Sequence, residues 1–263
     1  MVISASRRSD IPGFFMDWFL SCCRKGSITY AHPRNQSRII EVSLLPRDVS
    51  CLVFWTKFPS RMMEHLDAVE SLGIPFYLQC TMNPYGQDME PGIEPLERRI
   101  ESYKALVDRI GEHRVVRRYD PVIITEHYPL EFHIDSFHRL AEALEGYSSS
   151  CIFSFVDTYR STPGYIRELR ADEMDLLARE FSKTGLVLST CAEGVNLSQY
   201  GISRGACIDP VLVERITGLP AVRRKDPGQR RECRCMPSRD IGTYGTCLGG
   251  CVYCYAQRDK GLS

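Results

Sequence analysis

Two textures alternate along the first two-thirds of this chain. Short β-branched and aromatic runs lie at VISAS (2–6), CLVFWT (51–56), PFYLQCTM (75–82), RVVRRYDPVII (114–124), CIFSFVD (151–157) and LVLSTCAE (186–193). Both alternating faces of each run are mostly apolar, as in strands buried on two sides of a parallel sheet. Between these runs apolar residues recur every three or four positions, which predicts helices. Asp10-Ile-Pro caps the first, with Phe14, Phe15, Trp18, Phe19 and Cys22 on one face and Gly26 to end it. Ser60 opens the next, with Met63, Leu66 and Val69 inward and Gly73 as its stop. Later stripes end at Gly111 (Leu96, Ile100, Tyr103, Val107, Ile110), Gly146 (Ile134, Phe137, Leu140, Ala141, Leu144) and Gly185 (Met174, Leu177, Ala178, Phe181). Asp209-Pro210 starts a short helix that Gly218 ends.

Six strand-then-helix steps predict an α/β fold built on a parallel sheet. No glycine-rich dinucleotide loop follows the first strand, so the reading is a (β/α) barrel of the TIM type, whole or partial. A doubly wound sheet is the alternative. The texture changes near residue 194. Beyond it Gly, Pro, Arg and Cys dominate, and six of the twelve cysteines lie from Cys207 onward. Residues 1–194 are expected to form the barrel core. Residues 195–263 are expected to be an irregular, cysteine-rich iron–sulfur segment packed on it in the same folding unit, because bound metal replaces a hydrophobic core.

Composition changes this picture only through cysteine. The 263 residues are 43% apolar and 25% charged with a formal net charge of zero, so bulk charge argues for neither nucleic acid nor membrane. The start of the chain does not read as a secretory signal, and no run approaches the ~20 apolar residues of a spanning helix. A cytoplasmic chain with reduced thiols is expected, and clustered reduced thiols point to metal or redox chemistry. Zinc-protease histidine pairs, a P-loop and a serine nucleophile elbow are all missing from the sequence. His127 and His133 are expected to flank a loop.

Cys247-Leu-Gly-Gly-Cys251-Val-Tyr-Cys254 places three thiolates on one short loop. Gly245, Gly249 and Gly250 let the backbone curl around an iron–sulfur cubane and approach it closely. No fourth cysteine has matching spacing, which leaves one iron open. The alternative is zinc, with Cys251 and Cys254 completed by Cys233 and Cys235. A second cluster is expected on Cys191, Cys207, Cys233 and Cys235, as an auxiliary [4Fe–4S] ahead of zinc. Cys22, Cys23, Cys51, Cys80 and Cys151 read as core residues.

C-x3-C-x2-C with Tyr253 before the last cysteine resembles the cluster motif of the radical S-adenosylmethionine (SAM) superfamily. There the motif lies after the first strand of a partial (β/α) barrel; here it lies far along the chain. Across its length the chain resembles the uncharacterised DUF1848 family, through ISASRRSDIP, FWTK, RRYDP, FSFVD, TCAE, DIGTYGTC and GCVYCYA. The radical-SAM resemblance implies a [4Fe–4S] cluster on Cys247, Cys251 and Cys254 that binds SAM through its open iron and cleaves it reductively. Tyr253 would pack near the adenine, and a donor such as a flavodoxin or ferredoxin would supply electrons. An electron-transfer or redox-sensing protein is the non-catalytic alternative.

Chemistry in such barrels sits at the carboxyl ends of the strands. Polar residues recur there: Arg7, Arg8 and Asp10; Trp55 and Lys57; Gln79, Thr81 and Asn83; Arg118 and Asp120; Ser154 and Asp157; Thr190 and Glu193. Arg8, Lys57, Gln79, Arg118, Asp120 and Glu193 are the expected pocket for SAM and substrate, with an ion-pair network as the bland alternative. A basic run from Arg223 to Arg239 reads as a solvated linker, with a zinc-stapled nucleic-acid-binding or repair protein as the third reading.

Overall fold

The computed structural model describes residues 1–32 and 35–257, with backbone alone at Asn35 and Gln36. Along them the elements run β1 (Val2–Ala5), α1 (Ile11–Phe14), α2 (Met16–Lys25), β2 (Ser27–His32), β3 (Asn35–Ser43), β4 (Cys51–Thr56), α3 (Pro59–Glu64), α4 (Leu66–Glu70), β5 (Phe76–Thr81), α5 (Leu96–Ile110), β6 (Val115–Val122), α6 (Leu130–Ala143), β7 (Ser150–Phe155), α7 (Ala171–Ser182), β8 (Val187–Cys191), β9 (Ser203–Gly205), α8 (Pro210–Thr217) and β10 (Arg239–Asp240). Eight strands form one sheet in the order β10-β1-β4-β5-β6-β7-β8-β9. Every neighbouring pair is parallel. The edge strands β9 and β10 form no ladder with each other among the described residues. β2 and β3 make a separate antiparallel hairpin.

The two-residue period divides the sheet into two faces with two cores. Ile3, Leu52, Phe54, Leu78, Tyr119 and Phe153 point to the helix layer and pack with Phe19, Phe137 and Phe181. The Phe137 and Phe181 rings stack at 3.8 Å, joining α6 to α7. Each such buried ring stabilises the fold by about 1.5–3 kcal/mol. Val2, Cys51, Val53, Tyr77 and Ile152 point the other way and pack with Ile208, Val213, Cys207, Cys233, Cys235 and Met236. The register carries this inner face across the sheet, pairing Trp55 with Gln79, Arg118 with Ile152, Ile152 with Ser189, and Ser4 with Asp240.

The six strand expectations coincide with six strands of this sheet; several expectations around them are corrected. The first helix divides at Phe15, whose backbone (φ −138°, ψ 21°) is not helical. That break re-phases the second half, so Met16, Phe19 and Leu20 are buried while Trp18 is 43% exposed, off the apolar face. The helix expected from Ser60 begins at Pro59 and divides at His65. Thr190 pairs with Phe153 and so faces the helix layer instead of the carboxyl-end mouth. His133 lies within α6 and is buried, away from any loop. The hairpin of β2 and β3 lies where the pattern predicts no strand. The segment after residue 194 adds β9 and β10 to the sheet as well as the expected short helix, α8. Residues 258–263 of that segment lie outside the described residues. No helix among the described residues is long and apolar enough to cross a membrane.

Candidate metal centre

The inner face ends in a polar layer built around Asp240. Its carboxylate accepts from Ser4 Oγ (2.9 Å), Ser6 Oγ (2.8 Å), the Arg7 amide (2.8 Å) and the Gly242 amide (3.0 Å). Arg8 Nη1 lies 3.7 Å from it. A two-residue strand has little apolar content to hold it, so these charge-assisted bonds fix β10 against β1. They bring the chain's late segment beside its first strand.

Cys247, Cys251 and Cys254 lie on a loop that this arrangement brings to the carboxyl end of β1, β4 and β5. The Gly92 amide donates to the Gly249 carbonyl at 3.1 Å, and the Val252 amide to the Met89 carbonyl at 3.0 Å, so the loop is seated on the segment after β5. Backbone amides of Asp10 and Gly249 are directed at the Cys247 sulfur, and those of Ala256 and Gln257 at Cys254. Lys57 places positive charge near all three sulfurs. Burial nevertheless pushes the three thiols up, Cys251 to about 12. A soft cation is the ordinary means of ionising such thiols. Donor hydrogen bonds and a nearby cation match the demands of an anionic iron–sulfur group.

Behind the loop is a buried polar network. Glu90 Oε1 accepts from Lys57 Nζ at 2.8 Å, from Asn83 Nδ2 at 3.3 Å and from the Tyr253 hydroxyl. The Glu90 side chain has no exposed surface, and its Oε2 has no partner. Asn83 donates to the Tyr253 oxygen at 3.1 Å, and Arg99 donates to the Asn83 carbonyl at 2.7 Å. Tyr253 is thus held by its hydroxyl, with its ring edge-on to Tyr85 and the Lys57 ammonium 5.8 Å from its centroid. This makes it an anchor of the cysteine loop. Asp10 caps α1 through the Gly13 amide (2.8 Å) and accepts from the Lys57 amide (2.8 Å). Burial raises its carboxyl to about 6.

The second cysteine set comes from three separate segments: the end of β8, the residue pair after β9, and the approach to β10. Cys207 Sγ lies 3.1 Å from Cys191 Sγ, and no disulfide joins any cysteine. Cys235 Sγ accepts from the Ile208 amide at 3.3 Å. Hydrogen bonds from neighbouring thiols lower Cys235 and bring Cys191 to about 7, while Cys207 and Cys233 are raised. Two arginines face the set. Arg118 Nη1 is 2.7 Å from Cys207 Sγ, and Arg7 acts electrostatically on Cys235 and Cys207. Their guanidinium carbons lie 5.2 and 5.1 Å from the Trp55 ring, which is held by Nε1–H donating to Ser4 Oγ at 3.0 Å.

The expected pocket residues divide between these two sets. Gln79 Nε2 donates to the Cys207 carbonyl at 2.7 Å, and Gln79 Oε1 accepts from Arg118 at 3.3 Å, so both support the second set. Asp120 is ion-paired with Arg118 and accepts from Ser154. Burial pushes its carboxyl up, but Arg118 and Ser154 hold it below the usual carboxylate value. Lys57 serves the first set. Arg8 donates to the Gly242 carbonyl at 3.2 Å and lies over Tyr244. Glu193 accepts from the Phe155 amide at 2.9 Å, and burial raises it to about 8. In the basic run, Arg223 pairs with Glu214 and Arg230 with Asp157.

Glu90 and Asp240 are the principal residues the pattern does not single out. Asp240 stands in the quoted stretch DIGTYGTC, a signal that was present; Glu90 stands in a polar loop with none. Among the described residues no set of three or more His, Cys, Asp or Glu side chains is already spaced around a single metal ion.

A family model described as a domain of unknown function, DUF1848, matches residues 2–256. No curated protein matches the chain. Among solved structures, a glycoside hydrolase 5 lichenase from Caldicellulosiruptor sp. F32, a mutant in complex with cellotetraose, aligns at 11% identity with a TM-score of 0.32. The alignment covers 49% of this chain and 42% of that enzyme, less than half its length, and carries no argument about fold or reaction.

Proposed function

Because this chain belongs to the DUF1848 family, whose function is undefined, we propose from its site geometry that it is a radical-SAM-like iron–sulfur enzyme acting on a substrate at the carboxyl end of its sheet. The observation that carries this reading is the seating of Cys247, Cys251 and Cys254. The loop that carries all three thiols is bonded backbone to backbone to the segment after β5, and Tyr253 within it reaches buried Glu90, which Lys57 also holds. When bound there, a [4Fe–4S] cluster supplies the reductive cleavage of SAM that starts hydrogen abstraction from a substrate.

The protein's own residues do the rest. Cys247, Cys251 and Cys254 hold the cluster, and the amides of Asp10, Gly249, Ala256 and Gln257 stabilise the ligand sulfurs. Tyr253 and Glu90 hold the loop against β5. Lys57 and Arg8 are the cations available to a carboxylate; Asp120 and Glu193 are the acids available to an ammonium or to ribose hydroxyls. The strand order fits a TIM-type barrel opened between β9 and β10. In that arrangement the late cysteine loop reaches the mouth because β10 returns beside β1. The electron donor is a small redox protein of the flavodoxin or ferredoxin class.

The test is anaerobic incubation of reconstituted protein with SAM and a strong reductant, read by chromatography. Formation of 5′-deoxyadenosine, lost in Cys254→Ala, supports the reading. Iron and sulfide bound without 5′-deoxyadenosine, and an EPR signal indifferent to SAM, would replace it with electron transfer or redox sensing.

A further inference from the structure

Cys191, Cys207, Cys233 and Cys235 are drawn together from segments far apart in sequence, yet nothing in the radical-SAM reading uses them. Their surroundings are built for negative charge. The Arg118 guanidinium touches Cys207 at 2.7 Å. The Ile208 amide donates to Cys235 Sγ at 3.3 Å. Tyr77 and Gln79 hold the Cys207 carbonyl at 2.8 and 2.7 Å, fixing the direction of its side chain.

Arg7 is the decisive residue. Its backbone amide hydrogen-bonds Asp240, while its guanidinium meets that carboxylate only through space. The guanidinium makes one long bond, Nη1 to Ser238 Oγ at 3.4 Å, and its Nη2 is buried with no partner. The guanidinium thus hydrogen-bonds no carboxylate, and a cation held in that way calls for an anion beside it. Four ionised thiolates on a dication carry two negative charges and would compensate it; four neutral thiols would not.

Spacing selects the kind of centre. Zinc–thiolate bonds of about 2.3 Å in a tetrahedron give sulfur–sulfur edges of about 3.8 Å. The 3.1 Å between Cys191 and Cys207 is already inside that edge, and the amide of Ile208, the residue after Cys207, reaches the Cys235 sulfur at 3.3 Å. One ion would draw the Cys233 and Cys235 thiols of the approach to β10 onto that pair. An iron–sulfur cubane is larger and would have to force the Cys191 and Cys207 sulfurs apart.

We propose that Cys191, Cys207, Cys233 and Cys235 bind one zinc-class ion in a closed four-thiolate site, with Arg7 and Arg118 as its counter-charges. The ion links β8 and β9, at one edge of the sheet, to the segment entering β10 at the other edge. The Met236 amide already bonds the Ile208 carbonyl at 3.0 Å along this path. The centre is structural, a staple across the gap between β9 and β10, and is separate from the three-cysteine loop.

The full chain carrying Cys247→Ser, Cys251→Ser and Cys254→Ser, purified anaerobically, tests this without the first centre. About one zinc per chain without acid-labile sulfide is expected. The same zinc should be lost from the otherwise native chain on Cys235→Ser, while iron on the first set remains, so the proposal is tested even where the triple variant fails to fold. Arg7→Gln should release zinc to a chelator about 10-fold faster, and Arg224→Gln at the native rate. Metal-free thiols in a folded chain, a Cys191–Cys207 disulfide by mass spectrometry, or iron with sulfide on this set would each overturn the proposal. None of these results depends on SAM cleavage, which fails or succeeds by its own assay.

Discussion

The amide of Gly92 donates to the carbonyl of Gly249 at 3.1 Å, and a Cβ on Gly92 would stand 2.8 Å from that oxygen. The loop after β5 and the cysteine loop therefore meet backbone to backbone. Gly92→Ala must push the two apart. It is expected to weaken iron retention at Cys247, Cys251 and Cys254 about 10-fold, as loss of an outer support does. Far-UV circular dichroism and zinc content should stay native. Unchanged iron retention would mean that this contact does not position the loop.

Tyr253→Phe keeps the ring but removes the hydroxyl between Glu90 and Asn83. Glu90 already has one unpartnered buried oxygen, so the loss falls on a group with little to spare. The variant should be less stable by about 1–3 kcal/mol, read as a lower urea midpoint at unchanged m-value. An unshifted midpoint would remove Tyr253 as the anchor of this loop.

Asp240→Ala leaves the hydroxyls of Ser4 and Ser6 and the amides of Arg7 and Gly242 without their acceptor. A loss of about 3 kcal/mol or more is expected. Hydrogen exchange should rise in residues 2–6 and 239–242 first. Protection unchanged there, with loss elsewhere, would show that other contacts hold β10.

His133 is buried, donates from Nε2 to the Ile123 carbonyl at 2.8 Å and accepts at Nδ1 from the Tyr119 hydroxyl at 2.8 Å. Burial lowers it to about 4 from an ordinary 6.5. Between those values the unfolded chain binds the proton and the folded chain does not, so stability falls as pH drops from 6.5 toward 4. From pH 7.5 to 5 this group alone removes about 2 kcal/mol. His133→Gln should have a pH–stability curve flatter by that amount. Parallel curves for the two proteins in denaturant titrations would contradict the assignment.

The strands β1 and β4 to β8 were readable because burial on both faces leaves long apolar runs, as in Leu52, Val53 and Phe54. Helix breaks were not: no Gly or Pro stands at Phe15 or His65, and Pro12 and Gly13 lie inside α1, ahead of its break. β10 has only Arg239 and Asp240, and hydrogen bonds to a carboxylate leave no periodicity to read. Glu90 defied the expectation that charged loop residues face water, since only the folded chain reveals its Lys57 and Tyr253 partners. The three-cysteine loop was legible as a motif because its cysteines are close in sequence. The other four thiols were legible as a set but not in their geometry, which depends on β8, β9 and the return to β10.

The pairing of β1 with β10 also sets an order of events during synthesis. Ser4 and Asp240 are 236 residues apart, so β1 leaves the ribosome long before the strand that covers its second edge. Until then β1 offers an open edge on that side, and domains generally fold as units as synthesis proceeds. Cys233 and Cys235 arrive just before β10, and Cys247, Cys251 and Cys254 just after. Both cysteine sets are therefore completed late, after nearly all of the sheet has been synthesised.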